Sequence, residues 1–132
     1  MALTAYALRF LQDAREMIPV DEERLERARK WLANHATEDA SSRALRLRSL
    51  LQSGNVPDVD EDLGKMAREA AQWNDPYAAA QFAIAAMSAG KMDLARRAVA
   101  DLQKGARDEQ GTAYWDLQTD TPFHGLGPCG AD

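Results

Sequence analysis

The sequence begins with the stretch LTAYALRFL, residues 3–11, and this stretch decides the fold. Its apolar residues recur at intervals of three and four, the period of one face of an α-helix. The stripe consists of Leu3, Tyr6, Ala7, Phe10, Ala14 and Met17. The opposite face carries Arg9, Gln12, Asp13 and Glu16. The pattern therefore predicts an amphipathic first helix that turns the Leu3–Met17 stripe towards the core.

Helix start and stop signals divide the following residues into five further helices. Several of these helices follow an aspartate, a residue favoured as an N-cap: Asp21, Asp39, Asp58 and Asp75. Glu61 lies three residues after Asp58, which indicates a capping box. Gly54 and Gly90 are predicted to end the third and fifth helices. The fifth helix, residues 77–89, is rich in alanine and apolar on most sides, so we expect it to lie between other helices.

The helix starts near residues 2, 39 and 76 repeat at an interval of roughly 37 residues, a period typical of stacked helical hairpins. The predicted fold is all-α, with three antiparallel helical hairpins in an open arc or part of a ring. Residues 1–107 form the helical-hairpin domain. Helical periodicity stops after Gly105, so we expect residues 108–132 to be an irregular tail, with a short extended segment around residues 111–117. This tail either caps the stack or hangs free.

Composition excludes several classes of partner. The chain has 132 residues of which 45% are hydrophobic, enough for one domain with a core. Its net charge of -5 argues against nucleic acid. No apolar run is long enough to insert into a membrane, and the N-terminus lacks a signal-peptide pattern. The single cysteine cannot form an internal disulfide. This does not decide between a reducing and an oxidising cellular compartment.

The tail holds the residues that come nearest to a site. Tyr114, Trp115, Phe123 and His124 are predicted to cover the open end of the helical stack or to contact a ligand or peptide. His124 could titrate near neutrality, but the sequence fixes no nucleophile beside it. Cys129 lies five residues after His124, and two side chains do not supply the four ligands of a zinc site. We therefore predict no catalytic residue, no cofactor and no metal, and we keep Cys129 as a weak thiol candidate.

Other charged residues have structural interpretations. His35 lies at the end of the second helix, where we expect it to cap the helix. The acidic runs at residues 21–23 and 58–62 lie at helix starts, and the second lacks the glycine of a calcium loop. Arg43, Arg46 and Arg48 do not share one helical face, which argues against a phosphate cradle.

Parts of the chain resemble a known family. The residues Leu3-Thr4-Ala5-Tyr6, Ala14, Ile18-Pro19-Val20-Asp21 and Trp31-Leu32 resemble a helical hairpin in the thioester domain of the α2-macroglobulin and complement family. Tyr114-Trp115-Asp116 and Thr121-Pro122-Phe123-His124-Gly125-Leu126-Gly127 resemble a loop between hairpins in bacterial members. The resemblance implies part of an α/α toroid from an extracytoplasmic parent protein that traps proteases.

The family's reactive centre is missing from this sequence. Family members form a thioester between the cysteine and the glutamine of a Gly-Cys-Gly-Glu-Gln segment, and that segment does not occur here. Around Cys129 the order is Gly127-Pro128-Cys129-Gly130-Ala131-Asp132, with Asp132 where the glutamine would stand. A carboxylate has no amide to displace, so no thioester is expected.

Three functions remain open at this point. The first is a non-catalytic fragment of a bacterial α2-macroglobulin-like thioester domain that acts as a protein-interaction scaffold. The alternative is a free-standing helical-repeat adaptor similar to tetratricopeptide proteins. A small enzyme or lipid binder with a pocket between hairpins is the third. An unfinished helical stack exposes an apolar face, so we expect a protein partner or self-association.

Overall fold

The computed structural model describes residues 1–54 and 56–116, and in these residues the fold is all-α. The helices are α1 (Ala2–Ala14), α2 (Glu22–Asn34), α3 (Ala40–Gln52), α4 (Val59–Glu69), α5 (Pro76–Ser88) and α6 (Met92–Gly105). A 3₁₀ turn, Ala70–Gln72, follows α4. A small antiparallel hairpin, β1 (Arg107–Glu109) and β2 (Thr112–Tyr114), follows α6. The prediction of the all-α class is confirmed.

Most of the predicted helix starts are present. Carboxylates cap α2, α3 and α5, where Asp21 accepts from the backbone N–H of Glu23 at 3.0 Å, and Asp39 and Asp75 accept equivalent bonds. The prediction of a capping box at Asp58 is wrong. Asp58 adopts the left-handed conformation (φ 56°), and its side chain makes no capping hydrogen bond. An N-cap carboxylate reaches the first turn from an extended backbone, which Asp58 does not have.

Glycine ends α3 and α5 as predicted. Gly90 has a φ of +72°, and the N–H of Lys91 donates back to the carbonyl oxygen of Ala86 at 2.8 Å. This six-to-one bond across a left-handed glycine is a Schellman motif. Gly54 follows α3 with a φ of +138°.

The helices pack around α3, which is shared by two hydrophobic clusters. The first cluster joins α1, α2 and α3 through leucines that include Leu8, Leu32 and Leu45. The second joins α3, α4, α5 and α6, and Leu47 and Phe82 lie in it. In space α3 lies between α1 and α5, while α2 packs on α1 and α6 packs on α5. The alanine-rich α5 therefore lies between other helices, as its composition predicts.

The orientation of α1 differs from the prediction. The buried side chains are Ala2, Ala5 and Leu8, and the predicted inward stripe faces outward. Leu3 is 55% exposed, Tyr6 52% and Phe10 60%, and Met17 beyond the helix is also exposed. At Ala5 the helix approaches α3 closely, since the hydroxyl of Ser49 reaches the carbonyl oxygen of Ala5. We call Leu3, Tyr6 and Phe10 the α1 apolar face.

The start of the tail is ordered against α6. Residues 107–114, where we expect the tail to begin, form the small hairpin, with Gln110 (φ 53°) and Gly111 (φ 82°) at its turn. Two consecutive left-handed residues suit the tight turn of a two-residue hairpin. The extended segment expected near residues 111–117 thus corresponds to β2.

Candidate functional site

Of the two described aromatic residues of the tail, Trp115 contacts α6. The indole Nε1 of Trp115 donates to the carbonyl oxygen of Leu102 at 2.7 Å, and its ring lies against Gly105. Tyr114 is exposed, and its hydroxyl donates to Glu109 at 3.3 Å. Both residues therefore contact the chain itself. The other predicted site residues, Phe123, His124 and Cys129, lie outside the described residues.

A cleft of about 200 Å³ lies between the α4–α5 connection and the end of α6. The residues that line it include Trp73, Trp115, Asp75 and Asp116. These carboxylates already have partners, since Asp75 caps α5 and binds the Ser41 hydroxyl while Asp116 pairs with Arg107 at 2.7 Å. The cleft can hold a small apolar group, and its lining residues include neither a histidine nor a cysteine.

The arginines of α3 have three separate partners, as their spacing predicts. Arg43 pairs with Glu69 at 2.6 Å. Arg46 donates to the carbonyl oxygens of Leu32 and Ala33, at 2.6 and 2.8 Å, and so caps the end of α2. Burial lowers the pKa of Arg46, and Asp62 partly offsets that effect.

Arg48 has a different environment. It is 7% exposed, and its Nη1 donates to Oε1 of Gln81 at 2.7 Å. Its Nε is buried without a hydrogen-bond partner, and the same holds for Nε of Arg9 on α1. Burial lowers the pKa of Arg48 and the positive charge of Arg9 lowers it further, while Tyr77 and the carboxylate of Asp13 act in the opposite direction.

Tyr77 on α5 belongs to the same cluster. Burial raises the pKa of its hydroxyl, and the charges of Arg48 and Arg9 act against that rise. We call Arg9, Arg48 and Tyr77 the inner cluster. Sequence reasoning missed it, because each residue comes from a different helix. The available signal in the sequence was that Arg48 does not share a helical face with both Arg43 and Arg46.

The remaining candidates have structural roles. Nδ1 of His35 donates to the carbonyl oxygen of Trp31 at 2.6 Å, and the two rings stack at 4.1 Å. This confirms the prediction that His35 caps α2. In the acidic run at residues 58–62, Lys91 pairs with Asp60 at 2.8 Å and Lys65 with Glu61 at 2.7 Å. The hydrogen bond from Lys65 lowers the pKa of Glu61.

Within residues 1–54 and 56–116, no three histidine, cysteine, aspartate or glutamate side chains are grouped as a metal site requires. In the same residues no helix combines the length and apolar character needed to cross a membrane.

No protein-family profile matches the sequence, and neither a curated protein nor a solved structure matches it.

Proposed function

We propose that this chain is a non-catalytic protein-interaction scaffold. In this proposal it is a section of an α2-macroglobulin-like thioester domain that lacks the thioester itself. It binds by packing α1 against a helix of a protein partner.

The α1 apolar face is the observation that carries the proposal. Leu3, Tyr6 and Phe10 of α1 are each more than half exposed, although the helix already buries another apolar face that includes Leu8. A surface helix normally directs its polar residues to water. Burying one large apolar side chain fully contributes about 1.5 to 3 kcal/mol, so covering this face is a substantial source of binding energy.

The shape of the face favours a helix as the occupant. Leu3, Tyr6 and Phe10 are spaced by three and four residues along a 13-residue helix and form a single ridge. Such a ridge packs into the groove of a neighbouring helix. On its other side α1 already packs in this way against α3. A second helix on the apolar face would continue the row formed by α1, α3 and α5.

Sedimentation velocity of the full chain tests this surface. A chain with an uncovered helix face should self-associate, so the average mass should rise with protein concentration. Phe10→Asp should abolish the rise by placing a charge in the contact. Met92→Asp is the matched control, since Met92 is 44% exposed on α6, and it should associate like the wild type. A wild-type chain that stays monomeric at every concentration would contradict the proposal.

The family assignment has a separate test. A Gly-Cys-Gly-Glu-Gln coding run upstream in the flanking gene sequence would support a thioester-domain fragment. Its absence, with a complete reading frame around this chain, would favour the free-standing helical-repeat adaptor. Mass spectrometry before and after methylamine should show no change, because the chain has no thioester to open.

A further inference from the structure

The cleft between the α4–α5 connection and the end of α6 combines aromatic rings with carboxylates. Its volume is about 200 Å³, and its lining includes Trp73, Trp115, Asp75, Asp101 and Asp116. Pockets for drug-sized molecules measure about 300 Å³ or more, so this cleft suits a smaller group. Its described lining residues include no lysine, arginine or histidine. The cleft therefore offers aromatic surface and negative charge to the same ligand.

Both indole rings of the cleft are held in place by other contacts. Trp73 packs edge-on against Phe82, with ring centroids 5.6 Å apart and ring planes at 88°. Nε1 of Trp115 donates to the carbonyl oxygen of Leu102 at 2.7 Å, and its ring lies against Gly105. Because these contacts already order the rings, a ligand does not have to immobilise them, which reduces the entropic cost of binding.

Two carboxylates of the cleft have cationic partners from outside its lining. Asp116 pairs with Arg107 at 2.7 Å. Asp101 pairs with Lys104 at 3.2 Å, and both of these side chains are more than 60% exposed. These two pairs balance the charges of Asp101 and Asp116, so any net negative charge in the cleft has to come from Asp75.

Asp75 has hydrogen-bond partners but no cationic partner. Its carboxylate accepts from the backbone N–H of Ala78 and from the hydroxyl of Ser41, both of which are neutral donors. Among the described residues no ion pair includes Asp75. The N-terminus of α5 supplies only about half a unit of opposite charge. The cleft therefore keeps part of a negative charge on an oxygen pair whose hydrogen bonds are already made.

We propose that this cleft binds a quaternary ammonium group, carried by a small molecule or by a trimethylated lysine side chain. Such a cation spreads its charge over methyl groups, packs against indole rings and needs no hydrogen-bond acceptor. Trp73 and Trp115 supply the rings, and Asp75 supplies the attraction for the charge. This site does not depend on the proposed function and would stand if the α1 apolar face bound nothing.

Titration of the isotope-labelled full chain with choline tests the site, with sodium chloride at equal ionic strength as the reference. The sequence has 3 tryptophans, so three indole N–H resonances report on binding. Those of Trp73 and Trp115 should shift and saturate. The resonance of Trp31, which is 40% exposed on α2 and does not line the cleft, should stay in place. The neutral alcohol in which carbon replaces the choline nitrogen should bind more weakly, because it lacks the charge.

Two variants separate the charge from the rings. Asp75→Asn removes the charge and keeps a good N-cap, since asparagine caps helices as well as aspartate does. Trp115→Leu removes one ring, and each variant should weaken choline binding by about fivefold. Asp39→Asn, at the N-cap of α3 and outside the cleft, is the matched control and should bind like the wild type. If Asp75→Asn does not fold, Trp115→Leu and its control Trp31→Leu carry the comparison.

The source of the ammonium group follows from a second probe, the acetylated amide of trimethyllysine. Tighter binding of this probe than of choline assigns the site to a modified lysine side chain, and the reverse assigns it to a small molecule. Equal affinity for choline and its neutral alcohol would overturn the proposal, because the cleft would then select only for apolar surface. Choline binding that is undiminished in Asp75→Asn, or the absence of a saturable shift with either ammonium probe, would also overturn it.

Discussion

The hydroxyl of Ser49 donates to the carbonyl oxygen of Ala5 at 3.1 Å and joins α3 to α1. Both residues are completely buried. The same hydroxyl lies 2.8 Å from the carbonyl oxygen of Leu45 in its own helix. Because a serine faces an alanine here, the two helices come close enough for a side chain to reach a backbone carbonyl of the neighbouring helix.

Enlarging this contact should separate the helices. We expect Ser49→Leu to lower the free energy of unfolding by about 1 to 3 kcal/mol through overpacking. Ser49→Ala should cost about 1 kcal/mol, because it removes only the hydroxyl. Urea denaturation measures both. Ser88→Leu, at an exposed serine of α5, is the control and should change little. Equal effects of the two leucine variants would show that α1 and α3 are not in tight contact.

Arg46 should be important for the stability of α2. Arg46→Ala leaves the carbonyl oxygens of Leu32 and Ala33 without their donor, and we expect a loss of about 2 kcal/mol. Arg46→Lys should recover only part of this, since a single ammonium cannot reproduce the guanidinium fork. Thermal or urea unfolding followed by circular dichroism measures the loss. Arg96→Ala, which breaks an exposed pair with Asp93, should cost under about 1 kcal/mol.

Trp115 should hold the β-hairpin against α6 without supporting the core. Trp115→Ala removes the hydrogen bond to Leu102 and the ring contact with Gly105, so amide hydrogen exchange in residues 107–114 should accelerate. The melting temperature should change little, because every residue of both strands is exposed. Trp115→Phe removes the hydrogen bond to Leu102 but keeps an aromatic ring against Gly105, so its effect should be intermediate. A large drop in global stability would contradict this assignment.

Tyr77 should make stability sensitive to alkaline pH. The fold raises the pKa of Tyr77, so folding favours the neutral hydroxyl. The resulting stability is complete below the ordinary tyrosine pKa near 10 and is lost as pH rises through the higher folded value. Urea unfolding from about pH 9 to about pH 11 should therefore show a decline that Tyr77→Phe reduces. Tyr114→Phe, at an exposed tyrosine, should leave the decline unchanged.

Local signals in the sequence were sufficient for the helices but not for their orientations. The caps at Asp21, Asp39 and Asp75 depend on neighbouring residues alone and were predicted correctly. Helix α1 carries two apolar stripes, and the larger side chains suggested the wrong one. The buried stripe includes Ala5, whose carbonyl oxygen accepts a hydrogen bond from Ser49 of α3, and such a contact between distant residues is not visible in the sequence of α1.

The candidate site residues likewise differ in how far the sequence could predict them. Trp115 could be identified from the sequence because the short tail contains few aromatic residues. It contacts α6 because it lies only a few residues after the end of that helix. The inner cluster joins Arg9, Arg48 and Tyr77 from three helices. Their meeting depends on how α1 and α5 rotate against α3, which periodicity within one helix cannot show. Phe123, His124 and Cys129 remain predictions.

The alanines of α5 have a practical consequence for mutagenesis. Ala78, Ala85 and Ala86 have no exposed surface, and Ala85 and Ala86 belong to the second hydrophobic cluster. An alanine scan would pass over these positions because they already hold the probe residue. Scanning with valine or leucine instead should reveal α5 as the segment least tolerant of substitution.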